Sequence, residues 1–156
     1  EANVDKAKFA HRSGALSTIP YLVSVDEFHH RVYEKPAMGA KERRAVWHEI
    51  EQKYLPWRDY DGVPFLEEGG FWMQKQHIFL YPFYYVDYAL AQVCAFQFYG
   101  RMKQDQNAAW ESYLTLCRAG GSKGYFDLLK LAGLEIPFEE GSVERSVRHV
   151  IDELNA

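Results

Sequence analysis

The densest run of side chains able to do chemistry is residues 71–99, FWMQKQHIFLYPFYYVDYALAQVCAFQFY. It holds eleven of the 25 aromatic residues in the chain (four Trp, eleven Tyr, ten Phe). Tyr81, Tyr85 and Tyr88 are spaced i, i+4, i+7, and Tyr84 and Tyr88 form a second i, i+4 pair. Such spacings place side chains on one stripe of a helix. His77 precedes them. A purely apolar core would favour Phe and Leu, because each buried phenol needs a hydrogen-bond partner. A row of phenols beside one imidazole therefore reads either as a donor array facing a polar ligand or as an aromatic core with satisfied hydroxyls.

Other constellations are weaker. In Asp26-Glu27-Phe28-His29-His30, Glu27 and His30 share a helix face. A Glu-x-x-His pair is half of a di-iron bundle site, but no other Glu has a His three positions later. The plain expectation is a hydrogen-bonded Glu27–His30 pair on a polar face. His48-Glu49 begins like a zinc helix, yet position 52 is Gln52, so the two-histidine spacing is missing and His48 reads as solvated. There is no Cys-x-x-Cys, no phosphate-binding glycine loop and no nucleophile elbow. Cys94 and Cys117 are too few for a disulfide framework and are expected to be buried free thiols, consistent with a reducing, cytoplasmic setting.

The elements that must position these groups read as helices almost throughout. Residues 3–18 and 21–34 carry helical apolar spacing and are separated by Pro20. Lys35-Pro36 ends the second segment, since the residue before proline avoids the α region. Residues 40–54 have Val46, Ile50 and Tyr54 at four-residue spacing, and Pro56 stops them. Residues 56–70 are rich in Pro, Asp and Gly and read as a loop. A helix is expected from Pro82 to about Lys103, with proline in the first turn where its missing N–H costs nothing. Further helices are expected at Asn107–Cys117, at Lys123–Leu131 capped by Ser122 and stopped by Gly133, and from Ser142 to about Leu154. The fold class is all-α, and the 156 residues form a single helical region.

Composition narrows the function classes. The 18 Lys and Arg against 22 Asp and Glu leave a net charge of −4 and no basic run, which argues against nucleic acid as a partner. The longest apolar stretch, Ile78 to Tyr99, is interrupted by Pro82, Asp87, Gln92 and Gln97, which argues against a membrane span.

HIFLYPFYYVDYALAQ resembles the signature of the oligoendopeptidase F family, zinc peptidases related to thimet oligopeptidase. IPYLVSVDEFHHRVYEKP, ERRAVWHEIEQKYLP and LCRAGGSKGYFDLLKLAGLEIPFEEGSVE resemble family segments in the same order. The likeness extends over nearly all of the chain, with His29 where the family often has Gln and Phe79 where it often has Tyr. It implies the helical C-terminal part of a peptidase catalytic domain. The family's His-Glu-x-x-His helix and third zinc ligand are expected N-terminal to Glu1, so zinc would be held in the full-length enzyme by ligands outside this chain, with no metal ligand within it. The resemblance places substrate and oxyanion contacts on His77, Tyr81, Tyr85 and Tyr88, with His77, Tyr85 and Tyr88 as catalytic residues. Tyr81 and Tyr84 are expected to bind substrate, and Gly69 and Gly70 to give the loop mobility.

The resulting expectation is the substrate-side portion of a zinc-dependent oligoendopeptidase that hydrolyses short peptides. Its partners would be those peptides and the N-terminal half of the same polypeptide. Alone, the fragment is expected to be inactive, to expose apolar surface and to self-associate. Two alternatives from other classes are a stand-alone, non-catalytic helical peptide-binding module and a purely structural helical domain.

Overall fold

A computed structural model describes residues 2–156. The chain is 76% helical, and no strand occurs among the described residues. In chain order the helices are α1 (Ala2–Glu34), α2 (Ala40–Tyr54), α3 (Gln76–Leu80), α4 (Tyr85–Gln104), α5 (Gln106–Ala119), α6 (Tyr125–Leu131) and α7 (Ser142–Leu154). Two short helical turns, Leu66–Gly70 and Phe71–Gln74, lie between α2 and α3. None of the described helices is long and apolar enough to cross a membrane.

The first departure from expectation is at Pro20, which lies inside a continuous α1. An interior proline removes one hydrogen bond and costs about 3 kcal/mol. Packing of the following turns offsets this: Leu22, Ser24 and Val25 are buried, and the Ser24 hydroxyl donates to the Pro20 carbonyl at 2.8 Å. Lys35-Pro36 does end α1, and Pro56 follows the end of α2. Asp105 caps α5 by accepting from the Ala108 N–H at 3.0 Å. The cap of α6 is Gly124 rather than Ser122, so that helix starts two residues later than its spacing suggests. Cys94 and Cys117 are free thiols, but Cys117 is exposed and Cys94, at the margin of a hydrophobic cluster, is only half-buried.

The chain divides into two compact units: residues 17–89, and residues 1–16 with 90–156. The second unit is built on Phe98, Leu129, Ala132 and Leu134, with Cys94, Leu116 and Ile136 against them. In it the Gln97 side chain pairs with the backbone of Glu135 twice. Its amide nitrogen donates to the Glu135 carbonyl at 3.1 Å, and its oxygen accepts from the Glu135 N–H at 2.8 Å.

The unit of residues 17–89 is aromatic at its centre. Val25, Phe28, Trp47, Ile50, Trp72 and Ile78 form the core, with Tyr21, Phe71 and Tyr85 packed on it. Glu27 ties α1 to α2. It accepts from Arg31 at 2.7 Å, Lys53 at 2.8 Å and the Tyr54 hydroxyl at 2.7 Å. The expected Glu27–His30 pair is not formed; His30 lies 3.5 Å from Asp26, one turn back on the same helix. Arg31 from the next turn, with Lys53 and Tyr54 from α2, occupies the Glu27 carboxylate instead.

Partial burial would raise the Glu27 carboxyl, but those three hydrogen bonds outweigh it and hold it at about 2, against an ordinary 4.5. A carboxylate whose value falls on folding stabilises the native state above the ordinary value, and the benefit is lost as pH drops through the folded one. Wild type is therefore expected to lose more stability than Glu27→Gln between pH 4.5 and 2. Denaturant midpoints measured across that range check this; parallel curves for the two proteins would disprove it.

Candidate functional site

All of the phenols singled out by spacing, together with His77, come together in the unit of residues 17–89. α3 carries His77, a tight turn carries Tyr81 and Tyr84, and the first turn of α4 carries Tyr85 and Tyr88. α4 starts at Tyr85, not at Pro82. Pro82 instead occupies the second position of a turn closed by Tyr84 N–H to Tyr81 C=O at 3.3 Å, with Phe83 following at φ +63°. Proline followed by a positive φ is the pattern of a type II turn, which normally asks for glycine at the third position. Tyr81 is therefore not on the α4 stripe, and the turn folds it back to the same place by another route.

The five side chains form a closed cycle of ring contacts. Centroids are 5.8 Å apart for His77–Tyr81, 6.3 Å for Tyr81–Tyr84, 5.2 Å for Tyr84–Tyr88, 6.1 Å for Tyr88–Tyr85 and 4.9 Å for Tyr85–His77. Tyr81, Tyr84 and Tyr88 are exposed, whereas His77 and Tyr85 are half-buried beneath them. Two hydrogen bonds cross the cycle. Tyr85 Oη and His77 Nδ1 are 3.1 Å apart, and Tyr88 donates to Tyr84 at 3.1 Å. With the Tyr85 phenol donating, His77 carries its proton on Nε2 and keeps that N–H as a donor. Tyr84, having accepted from Tyr88, keeps its own hydroxyl proton for an outside acceptor. The hydrogen bond with Tyr84 raises the Tyr88 phenol above its ordinary range, so it stays neutral and donor-competent.

Two further residues back this cycle. The Tyr21 ring meets Tyr85 edge-on at 6.1 Å, and its hydroxyl is buried and unpartnered. Burial, with Tyr85 nearby, pushes the Tyr21 phenol upward. His29 is buried and contacts backbone of both α3 and the turn that follows it. Neither had a local spacing that pointed here; their partners lie roughly fifty to sixty-five residues on in sequence.

Gly69 and Gly70 are placed differently. Both are buried and lie against α2 and Phe65 rather than among the tyrosines. A Cβ on Gly69 would come within 2.1 Å of the Arg44 carbonyl oxygen, and its φ is +86°. Their role in this structure is close backbone approach. Gly69→Ala is expected to cost roughly 2–5 kcal/mol, from the left-handed backbone and the overlap together. Thermal or denaturant unfolding reads this directly, and a loss below about 0.5 kcal/mol, the range of ordinary surface changes, would refute it.

Among the described residues no three or more His, Cys, Asp or Glu side chains gather so as to hold a metal ion.

Solved structures share the fold of this chain. A proposed oligoendopeptidase F, from crystals grown by microfluidic seeding, matches 99% of the chain at 50% identity with a TM-score of 0.94. PZ peptidase A with an inhibitor matches 99% at 49% identity and a TM-score of 0.93. The chain is similar throughout to part of oligoendopeptidase F. A proposed oligoendopeptidase F from Bacillus anthracis str. Ames extends the likeness, at 41% identity over 99% of the chain and a TM-score of 0.78. The chain spans about a quarter of the length of these oligoendopeptidase F structures, at 27%, 27% and 24%, and covers a C-terminal part of them. No family model matches the chain, and no curated protein matches it.

Proposed function

We propose that this chain forms the substrate-side wall of a zinc-dependent oligoendopeptidase that hydrolyses short peptides, with the metal and its ligands in parts of the polypeptide outside it. The observation that carries this reading is the closed His77–tyrosine cycle, in a chain about half identical to oligoendopeptidase F and PZ peptidase structures. Tyr84 O–H and His77 Nε2–H are donors free to hold backbone carbonyls of an extended peptide. Tyr85 and Tyr88 can release their internal partners, since hydroxyls rotate, and aim a phenol O–H at the oxygen of the scissile carbonyl. A donor so placed strengthens its hydrogen bond as negative charge develops there. α4 begins at Tyr85, so the positive end of its dipole adds to the same field.

The reading is tested by tyrosine nitration with tetranitromethane in the intact polypeptide. Tyr81, Tyr84 and Tyr88 are exposed and expected to react, and a saturating short peptide is expected to protect them. Protection without any peptide cleavage would favour a binding module, and an unchanged nitration pattern would remove substrate from this face altogether.

A further inference from the structure

His29 makes two hydrogen bonds to backbone, one within α3 and one within the turn that follows it. Its Nε2 lies 3.0 Å from the Ile78 carbonyl oxygen, and its Nδ1 accepts from the Phe83 N–H at 3.3 Å. A carbonyl only accepts and an amide N–H only donates, so this pair of partners selects one form of the ring: neutral, with its proton on Nε2. The residue held by Nδ1 is Phe83, whose φ of +63° is strained for a residue with a Cβ. Its ring is enclosed by His29 at 5.3 Å, His30 at 4.9 Å and Tyr33 at 5.1 Å. Strained backbone persists only where its surroundings over-determine it. Here α1 supplies that restraint, and the strained residue lies two positions before Tyr85.

We propose that His29 is a positioning residue for the His77–tyrosine site: its neutral imidazole clamps Ile78 and Phe83, and so fixes His77 at one end of the turn and Tyr85 at the other. This rests on the reading of that site given above. The groups facing the ring are Asp26, His30 and Tyr33 from α1, the Ile78 carbonyl from α3, and Phe83 from the turn. Protonation at Nδ1 would set two N–H donors against each other and break the contact to Phe83. Burial disfavours the cation and His30 adds to this, while the Ile78 carbonyl and Asp26 favour it; the balance lowers the imidazole from its ordinary value. A histidine lowered on folding stabilises the native state above its ordinary value of about 6.5, and that contribution is lost as pH falls through the folded value.

The test uses hydrogen exchange at the Phe83 amide in the intact polypeptide, corrected for intrinsic rates, together with peptide-cleavage kinetics. His29→Leu removes both bonds and is expected to speed exchange about tenfold, and to lower kcat by a similar factor with KM changed less. His29→Gln offers an NH2 donor and an oxygen acceptor at nearly the same separation. It is expected to retain protection and kcat, and to abolish the loss of protection that the wild type shows on acidification below about pH 6.5. Unchanged exchange in His29→Leu would overturn the clamp. Should that variant not fold, parallel loss of protection on acidification in wild type and His29→Gln would overturn it instead. Faster exchange with unaltered kcat would uphold the clamp and reject the catalytic reading of His77 and Tyr85.

Discussion

Tyr85→Phe is expected to lower kcat and kcat/KM together, by roughly 100- to 1,000-fold, with KM little changed. That magnitude is the usual loss of about 3–4 kcal/mol when one donor to a developing oxyanion is removed. The substitution is unusually clean here. Phenylalanine keeps the ring contacts to Tyr21 at 6.1 Å, to His77 at 4.9 Å and to Tyr88 at 6.1 Å, and only the hydroxyl bonded to His77 disappears. Equal losses in kcat and kcat/KM identify an interaction made only in the transition state. His77→Ala should damage KM as well, since its Nε2–H is free to hold substrate backbone. Steady-state kinetics of the intact polypeptide decide the matter. If Tyr85→Phe kept wild-type kcat and lost only about 1 kcal/mol of stability, the phenol would be a core residue with a satisfied hydroxyl.

Trp47→Ala is expected to be among the most destabilising single changes, at about 3–5 kcal/mol. Trp47 is wholly buried at the meeting point of Tyr21, Phe28 and Phe71, whose centroids lie 6.5, 5.3 and 6.4 Å away. Its indole N–H is buried without a partner. Trp47→Phe removes that unpaired donor along with some volume, so the two effects oppose and the net loss should be far smaller than for alanine. Chemical denaturation of both variants separates the contributions. Equal losses would mean that filling the site matters less than the indole itself, against the packing argument.

Tyr85 and Trp47 also mark what could be read in the sequence. The apolar spacing of α2 announced Trp47's neighbours Val46 and Ile50, and prolines at 36 and 56 marked real helix ends. The tyrosine spacing found every phenol of the cycle. What it could not supply was the route. Pro20 and Pro82 carry the same local preference, yet one sits within a helix and the other turns the chain. The difference lies in tertiary partners: Ser24 and a buried face for Pro20, and His29 for the turn at Phe83. α3 is one and a half turns long and held at Ile78 by contacts from α1, so no periodicity could reveal it. The resemblance gave Gly69 a part in loop mobility; what the sequence could not show is that the space a Cβ would take there is filled by the Arg44 carbonyl. Cys117 and the Glu27–His30 pair were misjudged for a similar reason. Local spacing places residues on a face without saying what stands opposite.

The double pairing of Gln97 with Glu135 bears on how an all-helical chain avoids sticking to its neighbours. Residues 134–136 alternate as a strand would, with Leu134 buried, Glu135 exposed and Ile136 drawn into the core. Such a stretch leaves an N–H and a C=O pointing outward, an edge on which another chain could add itself. The side-chain amide of Gln97 takes both groups, acting as one detached peptide unit supplied by a helix. Pro137, which has no N–H to offer, closes the next position. This edge is thus already occupied from within, by a residue whose replacement with Glu would turn the donor into a second acceptor and reopen it.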